Sequence, residues 1–460
     1  MLIKPGSLGL VVALTLGGIS AQEEQGFKLE PLHATGMMET GMMVNFLPNL
    51  NGPTAVNCHG CAEGPATGSE FIDHNAVFLL QEARLSENIR VFLGVGGFYF
   101  YVLPSKGNPY SVGELSGFAL TDAHGEFDFW KRDGKDHGLS LKVGVFPFKY
   151  NEDAKNLGEY MFRTYTYPTI IYTGGLILVN SAGAQLSGLD ANTRYGGFMN
   201  DLLLTDKTNQ IPTGSLSLTD IVSYNYKNVL TIGAGFMLDN FYNPNGVANG
   251  ISDTIGPSQD PMEYYYVLKN GTKVSAASTN PPAPDSIVDT LHYGFFGEKL
   301  MVKASLDLGN LLLIPSLSTR DLRLYFEAVL MGVNNRGPLY RNMKNRIAYM
   351  YGLNLPTFHV LDLLSVEFEY CRNPYADNTV NVTTHYAPVP DDPNIEQYGN
   401  SDNVKWTLYA RKNISRNFSI SGQVANDHTR LVDYFGKTND ASVLERPKNW
   451  YWALQFSYSI

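Results

Sequence analysis

The side chains best suited to handle a solute are gathered in one stretch, KYNEDAKNLGEYMFRTYTYP (149–168). There Lys149, Lys155, Glu159 and Arg163 are followed by Tyr165, Tyr167 and Pro168. Charges of both signs bias the passage of ions, and tyrosine rings offer flat faces to sugars. The spacing predicts a short helix. Asn151 caps it, Glu152 and Asp153 favour its first turn, and Lys155–Glu159 and Glu159–Arg163 stand at i, i+4.

Bond-making chemistry has no comparable cluster. The sequence contains no G-x-S-x-G, H-E-x-x-H or Walker pattern, and His74, His292, His359, His385 and His428 are scattered. No enzymatic activity is expected. Cys58 and Cys61 lie in NCHGCAEGP. Haem attachment requires C-x-x-C-H, whereas His59 sits between these cysteines, and there is no second ligand pair for zinc. A small loop disulfide or two free thiols is the expectation, with Cys371 left over on a strand. The Asp- and Asn-rich stretches 391–403 and 427–440 lack EF-hand spacing. No metal or cofactor is implied.

The elements that must position these residues are strands. Leu139, Leu141, Val143 and Val145 alternate with Ser140, Lys142 and Gly144. The same alternation runs through 300–308, 324–330 and 364–371. Each run spans about ten residues, the length of a tilted transmembrane β-strand. Short polar turns are expected near 86–88, 226–228 and 414–416. Between them lie long stretches rich in Asn, Asp, Gly and Pro, near 49–70, 104–124, 240–287, 373–402 and 428–446. Composition agrees: charged residues make up 17% of the chain, against about 25% in soluble proteins, and there are 44 Gly, 28 Tyr and 24 Phe. The net charge of −10 argues against nucleic acid as a partner.

At the N-terminus Lys4 precedes an apolar run, Leu8 to Ile19, and then Ser20 and Ala21. This is the pattern of a secretory leader cleaved after Ala21, and the run is too short to span a bilayer as a helix. The expected organisation is a leader over 1–21 and one barrel over 22–460. A soluble two-sheet protein or a solenoid would also alternate. However, no fixed-period repeat appears, and no linker divides the chain.

The stretch WYWALQFSYSI (450–460) carries Trp450, Trp452, Leu454, Phe456, Tyr458 and Ile460 on one face. It resembles the C-terminal signature of Gram-negative outer-membrane β-barrel proteins, with Ile460 in place of the usual terminal Phe. The overall resemblance is to porin-like proteins, and it covers the mature chain in pattern only. It implies an all-β fold: a single antiparallel transmembrane barrel of about 16 strands (14–18), with long external loops and one short helical loop folded inward. It further implies a bacterial outer-membrane location amid lipid and lipopolysaccharide. Assembly machinery would read the last strand, Trp450 and Trp452 would stand in the aromatic girdle, and a homotrimer is admitted.

In porin-like barrels one loop often narrows the channel, and 149–167 resembles that element. Lys149, Lys155, Glu159, Arg163, Tyr165 and Tyr167 would then face the solute, with Lys303, Asp307, Arg323, Glu327, Glu367 and Glu369 on the lumen wall. The implied function is passive diffusion of small hydrophilic solutes. The alternative is a structural or adhesive barrel whose long loops bind surfaces or polysaccharide.

Overall fold

The computed structural model describes residues 27–44, 71–102, 113–132, 135–163, 179–188, 197–206, 216–242, 265–275, 282–291, 297–312, 314, 317, 320–333, 342–372, 404–426 and 450–460. The expected leader, Cys58, Cys61, Tyr165 and Tyr167 fall outside them. Among the described residues twenty strands run in chain order. The first ten are β1 (Lys28–Leu29), β2 (His33–Val44), β3 (Phe71–Ser86), β4 (Ile89–Val102), β5 (Gly113–Arg132), β6 (Lys135–Phe148), β7 (Val179–Gly188), β8 (Gly197–Asp206), β9 (Leu216–Tyr226) and β10 (Leu230–Tyr242). They are followed by β11 (Tyr265–Leu268), β12 (Lys273–Ser275), β13 (Ile287–Leu291), β14 (Gly297–Asp307), β15 (Arg323–Met331), β16 (Ile347–Asn354), β17 (Leu363–Cys371), β18 (Val404–Asn413), β19 (Phe418–Ala425) and β20 (Trp450–Ser459).

Strands β2–β10 and β14–β20 pair antiparallel with their neighbours and close into a 16-stranded barrel. Closure is made by β2 against β20, from Thr35 opposite Ser459 to Val44 opposite Trp450. The two ends of the ring are thereby joined, and no edge of it is left open. Short β1 continues the line of β2 along β3, with Lys28 opposite Arg84. Strands β11–β13 form a separate three-stranded sheet within the connection from β10 to β14. That connection was expected to be loop.

The barrel is inside out relative to a soluble fold. On β14, Val302 is 52% exposed on the outer face while Lys299 is 1% exposed within. Leu300, Leu324, Phe326, Phe368 and Leu454 likewise lie exposed, and Glu327, Glu367 and Lys405 are buried. Period-two alternation fixes this choice, because a one-residue slip would turn every charge outward. An apolar exterior around a polar interior is the arrangement lipid requires.

Connections differ at the two ends. The β9–β10 hairpin turns on Lys227 (φ 51) and Asn228 (φ 58), with Val229 N donating to Tyr226 O at 2.9 Å. Two left-handed central residues define a type I′ turn, which matches the twist of the flanking strands. The turns expected near 86–88 and 414–416 also fall between paired strands. The opposite end carries the long connections, including Phe148 to Val179, Tyr242 to Gly297 and Cys371 to Val404. The stretch 104–124 is shorter as a loop than expected, because β5 begins at Gly113 and runs twenty residues.

The helix expected from Asn151 is also shorter. Among the described residues of this stretch only Tyr160–Arg163 is helical, and 151–159 is irregular. Gly158 (φ 82) and Glu159 (φ 61) adopt left-handed backbone, which breaks a helix at that point. Amides that a helix would have used internally are directed instead onto carboxylates of the barrel wall.

Candidate functional site

Segment 149–163 belongs to the third long connection and folds into the barrel. Two wall carboxylates hold it. Glu367 accepts from the backbone amides of Lys155 (2.6 Å), Asn156 (2.9 Å) and Leu157 (2.9 Å), and from Tyr325 Oη (2.8 Å). Glu327 accepts from the amides of Glu159 and Tyr160 (both 3.0 Å), from Tyr150 Oη (2.5 Å) and from Asn151 Nδ2 (2.8 Å). A carboxylate offers about four lone-pair sites, so each of these is saturated. Successive amides converging on an anion form the same kind of nest that binds phosphate elsewhere.

Further bonds fix both ends of the segment. Lys149 Nζ donates to Ala154 O at 2.5 Å, Lys303 Nζ to Tyr150 O, and Lys299 Nζ to Met161 O at 2.9 Å. Arg323 bridges Asp153 (2.8 Å) and Asp307 (3.1 Å). Tyr160 Oη donates to Glu369 at 2.9 Å, and Asn156 Nδ2 to Thr407 Oγ1 at 3.0 Å. Glu159 is buried and accepts from Asn151 N at 2.5 Å.

Apolar packing completes the attachment. Leu157, Tyr160 and Met161 are buried with Phe146 and Phe148 of β6 and with Val329, Met331, Met350 and Cys371 on β15–β17. Counting from β2, β6 is fifth in the ring and β15 to β17 are eleventh to thirteenth of sixteen. The segment therefore reaches nearly from one side of the bore to the other.

All six residues assigned to the wall point inward, and each has a place in this arrangement. Lys303, Arg323, Glu327, Glu367 and Glu369 bind the segment directly, while Asp307 holds Arg323. Of the six assigned to the constriction, Lys149, Lys155 and Glu159 are placed in the segment, and Arg163 ends its helix. Burial, with the charge of Lys149 second, lowers the Lys155 ammonium pKa to about 8, and its Nζ donates to Glu152 O at 2.8 Å. Burial, with the charges of Glu327 and Glu159 adding to it, holds the Tyr150 hydroxyl well above its ordinary pKa. It therefore remains a donor to Glu327.

Sequence reasoning missed Tyr150, Asn151 and Tyr325 as anchors. It also missed a second charged cluster on the inner faces of β4–β6. There Glu126 pairs with Arg90 (2.7 Å) and Lys142 (2.6 Å). His124 stands between Asp122 and Glu126, with Phe92 stacked on its ring at 4.6 Å. The available signal was the alternation DAHGEFD (122–128), a strand pattern with charge on one face. Among the described residues, no group of His, Cys, Asp and Glu is arranged to hold a metal.

No family model matches this sequence, and no curated protein matches it. Solved structures that overlap it include porins. A mutant Rh. blastica porin is 7% identical, with 94% of this chain and 100% of that one covered and a TM-score of 0.43. Salmonella typhi OmpF in complex with daunomycin is 10% identical, with 94% and 98% covered and a TM-score of 0.46. The closed ring and outward apolar faces make this chain a 16-stranded transmembrane β-barrel, with one connection folded inward.

Proposed function

We propose that the protein is an outer-membrane channel for passive diffusion of small hydrophilic solutes, narrowed by segment 149–163. The observation that carries this reading is the anchoring of an irregular segment inside the bore by two saturated carboxylates, Glu327 and Glu367. Irregular backbone at membrane depth is tolerated where protein or water satisfies it. Residues 1–21 act as the export leader and 22–460 as the mature barrel, with short turns toward the periplasm. Lipid and lipopolysaccharide surround the barrel, and the assembly machinery reads its last strand. Selectivity arises from Lys149, Lys155 and Arg163 of the segment, joined by Tyr165 and Tyr167, whereas Glu159, expected to face the solute with them, is 1% exposed and accepts from Asn151 N instead.

A second reading is a structural or adhesive barrel with a closed lumen. It is favoured by the apolar core that reaches from Phe146 through Leu157 to Val329 and Met350. Single-channel recording of the mature chain in a planar bilayer separates the two. Steady openings in salt, altered when Lys155 or Arg163 is reversed in charge, support the channel. A barrel shown to be folded by its heat-modifiable migration, yet never conducting, overturns it.

A further inference from the structure

The inward segment reaches toward the end of the bore that carries the short turns. Asp153 pairs with Arg323, the first residue of β15, which stands opposite Asp307, the last residue of β14. The β9–β10 turn lies at the same end, since Leu230 stands opposite Leu306. Arg320, in the connection from β14 to β15, is exposed there. Three cationic side chains come together at this point. Lys149 and Lys155 are half-buried and held by the turn itself, through Ala154 O and Glu152 O, and the charges of Lys149 and Arg320 both act on the Lys155 ammonium. Among the described residues none of the three has a carboxylate within 4.0 Å. The acids nearby are engaged elsewhere. Glu367 is saturated by backbone amides and Tyr325 Oη, Asp153 and Asp307 share Arg323, and Asp321 accepts from Thr357 N and Oγ1, both at 3.1 Å. Glu152 is exposed and forms no ion pair among the described residues.

An ammonium carries three donors, and Lys149 and Lys155 each use one, on a neutral carbonyl. Cations removed from water without a counter-ion are costly, and like charges side by side add to the cost. Burial, and then the charge of Lys149, act against the charged form of Lys155, and Glu367 and Asp153 offset this only in part. A lysine that served the fold alone would stand against the acid it neutralises, as Arg323 does with Asp153 and Asp307. We propose that Lys149, Lys155 and Arg320 form a binding site for a small dianionic solute, a phosphate or a paired carboxylate, at the short-turn end of the bore. The two ammonium groups donate to its oxygens, and Arg320 attracts it from the rim. Such a solute supplies the counter-charge that the wall carboxylates, occupied by the segment's own amides, do not. This names the solute class of the proposed channel. Its passage rests on that reading, and its binding does not.

The test uses the full chain, folded in membranes and extracted in non-ionic detergent, titrated by calorimetry with inorganic phosphate and with succinate at pH 7 and low salt. Saturable binding of either to a single site is expected, and the tighter of the two tells whether a phosphoryl group or paired carboxylates suit the site. Lys149→Met and Lys155→Met should each weaken binding about tenfold, the loss of one charge-assisted hydrogen bond. Arg320→Gln leaves every bond of the segment in place, so a loss of about threefold there, shrinking as KCl is added, separates lost charge from a loosened segment. Lys269→Met, at the end of β11 in the separate sheet, should bind as the wild type does. A barrel folded by its heat-modifiable migration that takes up neither probe, or whose binding is indifferent to all three site variants, overturns the proposal. A barrel that binds the probe yet never conducts in a bilayer supports the site and overturns the channel. One that conducts without binding either probe overturns the site and leaves the channel standing.

Discussion

Asn156 donates its backbone amide to Glu367 Oε2 at 2.9 Å across 211 positions of sequence. The amides on either side, of Lys155 and Leu157, converge on the same carboxylate. A backbone without helical or sheet order has to place its donors somewhere. Here three of them are satisfied by one side chain of the barrel wall, which fixes the path of the segment as firmly as a strand pairing would.

Removing that side chain should free the segment. Glu367→Ala strands several buried donors, each costing about 1–3 kcal/mol, so a total of roughly 3–5 kcal/mol is expected. Glu327→Ala should behave alike. The barrel, held by its own ladders, should survive and still show heat-modifiable migration. In bilayers the variants should show noisier current and larger conductance than the wild type. Unchanged conductance and unchanged protease resistance of 149–163 in both variants would refute this role.

Gly158 tests the same attachment through the backbone. Its φ of 82 is in the left-handed region, and an added Cβ would lie 2.5 Å from Met350 Cε and 3.1 Å from Glu327 Oε2. The methionine end can move, but the carboxylate cannot do so without losing its bonds to the Glu159 and Tyr160 amides. Gly158→Ala should cost about 1–3 kcal/mol from backbone strain and crowding together. Limited proteolysis of the intact barrel should show cleavage within 149–163 that the wild type resists.

The barrel was legible because its rule is local. Alternation over ten residues assigns Leu300 and Val302 outward and Lys303 and Asp307 inward without knowledge of any other strand. The turn at Lys227 and Asn228 and the final strand are equally local. The segment was not legible in the same way. Lys155–Glu159 spacing supports a helix, and so do Glu152 and Asp153 in its first turn, yet each of these is worth only a few tenths of a kcal/mol to about 1 kcal/mol. Two buried carboxylates more than 160 positions away outweigh that preference and draw the amides outward from the helix. The inner charges on β15 and β17 could be read from the sequence, but their partners could not. Nothing in the spacing of Tyr150 or Asn151 points to Glu327.

The low pKa of Lys155 gives the segment a pH dependence. Its folded value, about 8, lies below the ordinary lysine value. The docked segment thus disfavours the charged form. That penalty is full below pH 8 and is relieved as pH rises from 8 toward the unfolded value of about 10.5. Docking should therefore tighten over this range, and the segment should lose one positive charge. Reversal potentials across a KCl gradient should shift toward cation preference between pH 7 and 9. Lys155→Met should show the shifted value throughout and remove the dependence. A wild-type shift that persists in Lys155→Met would assign the titration to another group.

Beneath the segment, Lys299 lies 3.4 Å from Asp239 while donating to Met161 O, and Ser217 Oγ donates to Asp239 at 2.8 Å. Both charged side chains are almost wholly buried. Breaking such a pair from one side leaves a charge without its counter-ion and costs about 3–5 kcal/mol, whereas replacing both by apolar groups is often neutral. Lys299→Met and Asp239→Leu should each lower the midpoint of thermal unfolding in detergent, and the double variant should recover most of the loss. Lys299→Met should also loosen the segment at Met161, which Asp239→Leu should not do directly. The recovery would therefore be more complete in unfolding than in channel noise. Strictly additive losses in the double variant would mean that the two side chains act separately, and that Lys299 serves the segment alone.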